Sequence, residues 1–125
     1  LFTVRPDDIV DFAVSLMDWR HIRHVPVEGD DGELVGMLSH RAVLRLVAEG
    51  RFGGDHKVSV KEMMIKNPVT VKSDATTVEA IRIMRDASVA CLPVVDDGKL
   101  LGLITEHDLL VVSSHLLERY LEEEK

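Results

Sequence analysis

The sequence predicts an α/β (α+β) fold: two β-α-β-β-α repeats packed with pseudo-twofold symmetry, small mixed sheets facing each other and helices outside. Three observations predict it. The chain repeats itself, Thr3 to Leu44 aligning with Thr70 to Leu110 at an offset of 67 that falls to 66 after one extra residue in the first turn. The aligned identities include Thr3/Thr70, Asp7/Asp74, Ala13/Ala80, Met17/Met84, Pro26/Pro93, Gly32/Gly98 and Gly36/Gly102. Each copy passes from a short β-rich stretch through helical spacing to a β-rich pair. Asp97-Gly98, between two such stretches, is a strong hairpin signal. Neither copy can bury its apolar face alone, so the two must stack, and a pseudo-twofold pair has two equivalent clefts.

The second copy reads most clearly. Val69-Thr70-Val71 is a short strand. Asp74 or Thr76 can cap a helix, and Glu79 lies three residues after Thr76, as a capping box requires. Val78, Ile81, Met84 and Ala87 give that helix an apolar stripe. Ala90 to Val95 is the next strand, Lys99 to Ile104 returns after the turn, and Thr105 caps a helix running from about Glu106 towards Glu123. In the first copy Thr3-Val4 is the strand, with a helix stripe of Ile9, Ala13, Leu16 and Met17. His24 to Val27 follows, then a turn at Asp30-Asp31-Gly32. Leu34 to Leu38 returns, and a helix capped by Ser39 ends before Gly50. These spans place the first repeat at 1–50, a glycine-bearing linker at 51–57 and the second repeat with its C-terminal helix at 58–125. Val60 to Ile65 reads as a lead-in helix to the second copy. The first copy has no equivalent, and the chain starts on a strand without methionine, so residues missing upstream are expected.

Composition narrows the function. With 15 Lys and Arg against 22 Asp and Glu, the net charge is −7, which disfavours a general nucleic-acid binder. No apolar run approaches the ~18 residues of a membrane span. The single cysteine, Cys91, allows no internal disulfide and fits a reducing, cytoplasmic setting. A zinc site needs three or four converging ligands, and no Cys or His cluster has that spacing. Cys91 lies in an apolar strand and reads as a buried thiol. Trp19 is expected to be partly buried packing, with a contact to a missing domain as the alternative. The tail from Leu116 to Lys125 is amphipathic with an acidic end, and reads as either a packing helix or the start of a solvated terminus.

The short strand with Thr-Val, the apolar strand ending in Pro-Val and the motif Gly-h-h-Ser/Thr-x-x-Asp (h apolar) together resemble a tandem pair of CBS domains, the Bateman-type regulatory module. Gly102-Leu-Ile-Thr105-Glu-His-Asp108 carries the motif in full, whereas Gly36-Met-Leu-Ser39-His-Arg-Ala42 has alanine for the aspartate. The wording from Met17 to Pro26 also resembles CBS pairs attached to bacterial carboxylate–amine ligases, so a larger bacterial protein is expected. The resemblance implies a non-catalytic regulatory module with no obligatory cofactor. Its expected regulatory ligand is AMP, ADP, ATP or S-adenosylmethionine, bound between the sheets. A homodimer and an attached effector domain are implied as partners, with no nucleic acid.

A helix start capped at Thr105 favours phosphate through its dipole and amide donors. Asp108 on its first turn can accept both hydroxyls of a ribose. The resemblance assigns Thr3, Ile22 and Arg23 to the same cleft, Ile22 packing on adenine and Arg23 reaching phosphate, with His107 beside them. The other cleft would combine Ser39 with Thr70, Val89 and Ala90. Lacking the aspartate and a basic strand residue, it is the weaker candidate, and one good site is expected. The blander readings are that Thr105 and Asp108 are only a helix cap and a first-turn acid, and that Arg23 is a solvated strand charge. The alternative function is a structural dimerisation module without ligand. No nucleophile–base pair, phosphate loop or metal cluster supports an enzyme.

Overall fold

The protein is described from a computed structural model covering residues 1–55 and 57–123; His56 of the expected linker, and Glu124 and Lys125 of the acidic end, lie outside the described residues. In the first repeat Val4 bridges Val27 in parallel. Helix α1 (Val10–Arg20) follows, with Asp11 in its first turn and Arg20 in its last, both suited to its dipole. It stops at His21, whose φ of 55° turns the chain left-handed towards β1 (His24–Glu28). Antiparallel β2 (Leu34–Ser39) sets Val25 opposite Leu38 and Val27 opposite Gly36. The Ser39 hydroxyl accepts from Ala42 N–H at 3.2 Å and starts α2 (His40–Ala48). Gly50, at φ 72°, lies just beyond its end.

The segment expected to lead into the second repeat packs on the first. Ser59 and Glu62 form a capping box on α3 (Val60–Met63), and β3 (Ile65–Lys66) pairs with Met37 and Gly36 of β2. A Cβ at Gly36 would stand 2.6 Å from the Met64 sulfur and 2.9 Å from the Ile65 carbonyl, so β3 reaches β2 only over a glycine. Val58 and Val60 join Val4, Val10, Leu38 and Leu46 in the first core.

The second repeat retraces the path. Val71 bridges Val94, and Thr76 and Glu79 form the expected capping box on α4 (Thr77–Ala87). Ser88 repeats the left-handed exit of His21 at the same φ of 55°. β4 (Cys91–Asp96) and β5 (Lys99–Thr105) are joined through Asp97 and Gly98, both at positive φ, as a type I′ turn demands. α5 (Glu106–Glu123) runs on without a buried residue. The pseudo-twofold axis passes between the two hairpins. Leu34 N–H donates to Gly98 O and Leu100 N–H to Gly32 O, each at 3.1 Å, around a bridge between Glu33 and Lys99. Each donor and acceptor is the repeat counterpart of the other. The Lys99 ammonium also donates to the Asp31 carbonyl.

Three packing expectations are corrected. On α4 the buried side chains are Ala80 and Met84, while Val78, Ile81 and Ala87 face outwards. Ile9 caps α1 rather than lining it and is likewise exposed. Trp19 is 70% exposed and meets Phe2 edge-on at 6.4 Å, with the Arg20 guanidinium 4.2 Å from the Phe2 ring. On α4 the cause is a sequence stripe wider than the ~100° that one buried helix face needs, which does not say which edge turns inward.

Candidate functional site

A cavity of about 500 Å³ is lined by residues from both repeats. That is within the roughly 300–1,000 Å³ of small-molecule sites. Four stretches build it. The start of β1 brings Arg23 and His24; the junction of β2 and α2 brings Ser39, His40 and Arg41. The turn after β3 brings Asn67, Pro68 and Val69, and the exit of α4 into β4 brings Ser88 to Cys91. Met37, Ile65 and Pro93 add apolar wall. The left-handed exits at His21 and Ser88 aim the strand starts. Ile22 N–H closes onto Met17 O, and Val89 N–H onto Met84 O, both at 3.0 Å.

The helix starts are tied to the strands. His40 N–H donates to Arg23 O at 2.7 Å, and its counterpart Glu106 N–H donates to Ala90 O at 3.0 Å. With Ala42 N–H held by Ser39, two of the first three amides of α2 are occupied. At α5, Asp108 N–H donates to the Thr105 hydroxyl at 3.3 Å. Asp108 in turn accepts from Thr105 N–H at 2.9 Å and from its hydroxyl at 3.1 Å. This is the reciprocal geometry of a capping box, with aspartate in the glutamate position. The backbone donors foreseen for a phosphate are thus largely engaged, which leaves anion recognition to side chains.

Of the residues singled out by sequence, Ser39, Val89 and Ala90 meet around the cavity, and Arg23 lines it with them. Thr70 does not, though its neighbour Val69 does. Thr3, Ile22, Thr105, His107 and Asp108 are not among the lining residues. Thr3 is half-buried, Ile22 packs against the first core, and His107 is exposed. His24, His40, Arg41 and Asn67 were missed. His40 and Arg41 occupy the x-x positions of Ser39-x-x-Ala42, so their place at a helix start was readable. Asn67 depends on where β3 pairs.

Burial pushes the His24 imidazole down; Glu106 pulls it back up, and Arg23 and His40 push it further down. His24 is thus biased towards the neutral form at pH 7. Cys91 is buried, and its thiol is pushed up to about 12 by burial first and by the charge of Asp108 second. It stays protonated and unreactive at neutral pH. A second cavity of about 110 Å³, bordered by Ser73, Ala75, Thr77 and Ala80, is too small for a nucleotide. Among the described residues no group of three His, Cys, Asp or Glu is placed to hold a metal ion, and no helix is long and apolar enough to cross a membrane.

The CBS domain family model matches residues 1–49 and 60–115. A CBS domain-containing protein of Dictyostelium discoideum is 35% identical, the match covering 94% of this chain and 88% of that one. The inosine-5'-monophosphate dehydrogenase of Methanocaldococcus jannaschii is 36% identical over 88% of this chain, which spans only 21% of the enzyme. Among solved structures, CBSX2 in complex with AMP superposes with a TM-score of 0.82 at 29% identity, covering 93% of this chain and 89% of that one. Duplication, reciprocal hairpins and family match agree: the chain belongs to the CBS domain family, as a tandem pair.

Proposed function

We propose that this CBS pair is a non-catalytic regulatory module that binds an adenosine-containing ligand between its repeats and biases an attached domain. The observation that carries this is the 500 Å³ cavity, whose walls come from both repeats. A ligand filling it touches both halves at once and favours the arrangement in which they close on it. The AMP complex of CBSX2 supports an adenine nucleotide as the ligand class. The cavity favours the Ser39 side as the site, with Arg23, Ser39, Val89 and Ala90 as its residues. A second reading places the ligand at Thr105 and Asp108, favoured by that carboxylate on the first turn of α5.

Thermal unfolding of the 125-residue chain with AMP, ADP, ATP and S-adenosylmethionine tests the proposal. A ligand at a hundred times its dissociation constant stabilises the folded state by about 2.7 kcal/mol, or roughly 10 °C for a domain of this size. Loss of the shift in Arg41→Ala places the ligand on the Ser39 side, and loss in Asp108→Ala places it on the other. No shift with any ligand, in nucleotide-free protein, overturns the proposal.

A purely structural dimerisation module is the competing reading. It is favoured by the apolar side chains left open on the helices, including Val78, Ile81, Leu110 and Leu117. It predicts a dimer in sedimentation that no nucleotide alters.

A further inference from the structure

The chain is acidic, yet its large cavity is not. Arg23, His24, His40 and Arg41 line it, and among the described residues no aspartate or glutamate does. Position 42, where the second repeat has Asp108, is a buried alanine. We propose that this cavity recognises its ligand through phosphate alone: it takes adenine nucleotides bearing several phosphates, rejects adenosine ligands carrying a cation, and does not read the ribose hydroxyls. The inference rests on the preceding reading that an adenosine ligand occupies the Ser39 side, and narrows it.

Two facts, the pair of arginines and the absence of a carboxylate from the described lining, produce all three parts. Two guanidinium groups at a cleft between low-dielectric walls attract negative charge, and each can grip a phosphate with two parallel N–H donors. The attraction grows with the number of phosphate charges, so triphosphate exceeds monophosphate. A sulfonium or ammonium group in the same place meets the two guanidinium groups directly, while the nearest carboxylates, Glu106 and Asp108, act on the lining residues His24 and Cys91 from outside the lining. A ribose diol is gripped well by an acceptor with two oxygens; the acidic side chain able to do that is missing, because Ala42 ends at its methyl group. The neutral polar side chains of the lining, Ser39, Asn67 and Ser88, each supply a single oxygen acceptor rather than the paired oxygens of a carboxylate. Ser39 is already engaged as the cap of α2. Because the His40 and Ala42 amides are held within the protein, the charge that recognises phosphate falls chiefly to the two arginine side chains.

Isothermal titration of the 125-residue chain with ATP, 2′-deoxy-ATP, AMP and S-adenosylmethionine tests this, repeated on Arg41→Ala and on Asp108→Ala. Arg41 is exposed, so its replacement leaves the fold intact. The expected result is ATP and 2′-deoxy-ATP within threefold of each other, AMP several-fold weaker, and S-adenosylmethionine at least tenfold weaker. Arg41→Ala should weaken ATP about tenfold, and Asp108→Ala should change it less than threefold. S-adenosylmethionine binding as tightly as ATP, or 2′-deoxy-ATP binding tenfold worse, overturns the selection rule while leaving an adenosine site in place. ATP binding lost in Asp108→Ala and kept in Arg41→Ala overturns it by moving the site. No binding by any of the four removes the adenosine reading itself.

Discussion

The two repeats share a path but not a core. The first buries Val4, Val10, Ala13, Met17, Val25, Val27, Leu38, Ala42, Val43 and Leu46, and adds Val58 and Val60 from the segment behind it. The second buries Val71, Ala80, Met84 and Leu92. The cause is visible in the sheet. β3 covers the outer edge of β2, whereas β5 has no third strand among the described residues, and a Cβ at Gly102 would meet nothing within 4 Å where one at Gly36 would strike Met64 and Ile65. The small cavity bordered by Ser73, Ala75 and Thr77 lies at the repeat counterparts of Pro6, Asp8 and Val10, which in the first repeat hydrogen-bond to residues 58, 60 and 61 of the α3 segment. Repeated sequence therefore yields equal strands and turns, but burial depends on what a neighbouring segment supplies.

The largest test of this difference is a matched truncation. Leu46 is 1% exposed and its counterpart Val112 is 42% exposed. Leu46→Ala is expected to cost about 2–5 kcal/mol, and Val112→Ala about 0.5 kcal/mol or less, both from urea unfolding. An equal cost at Val112 would mean that α5 is covered in solution, which sedimentation of the same samples would reveal. Next in size is the cap on α5. Asp108→Ala removes the acceptor of the Thr105 N–H and should destabilise the chain by about 1 kcal/mol. If Asp108 serves only as a cap, nucleotide affinity will not follow.

A pH titration separates the two clefts more finely. Folded His24 holds a proton less readily than an unfolded histidine. Its native state thus binds fewer protons, and stability declines as pH falls below the ordinary histidine value of about 6.5 and on through the lowered folded one. A polyphosphate in the adjoining cavity favours the charged imidazole, so binding takes up a proton. ATP affinity should rise a few-fold between about pH 8 and pH 6, and His24→Gln should flatten that rise. A flat profile in the unaltered chain would place the phosphates away from His24. The smallest expected signal is chemical: Cys91, with its thiol pushed up to about 12, should react with iodoacetamide far more slowly at pH 8 than a free thiol, whose pKa is about 8.5. Rapid labelling would show that β4 opens readily.

Much of the fold was legible in the chain. Asp97-Gly98 and the Thr76/Glu79 box act through a few consecutive residues, so local chemistry is enough to read them. The twofold, too, was readable, because equal sequences make equal hairpins that can donate to one another. The helix faces were harder. Val78 and Ile81 are as apolar as the buried Met84, and nothing local ranks them. The lining of the large cavity was partly legible: Ser39, Val89 and Ala90 were grouped in one cleft and do line it together, while Arg23, grouped with Asp108, lines the same cavity.

What the sequence determined by itself was the repeat, the turns, the caps and the family, all set by residues within a few positions of one another or by comparison of one copy with the other. Tertiary structure alone decided three things. The α3 segment serves the first repeat rather than the second, Val78 and Ile81 point outwards, and the acidic chain gathers two arginines and two histidines around a cavity that no carboxylate lines among the described residues. Each depends on which distant surface a side chain meets. Burial and charge are properties of the assembled neighbourhood, and a single stretch of chain carries no record of it.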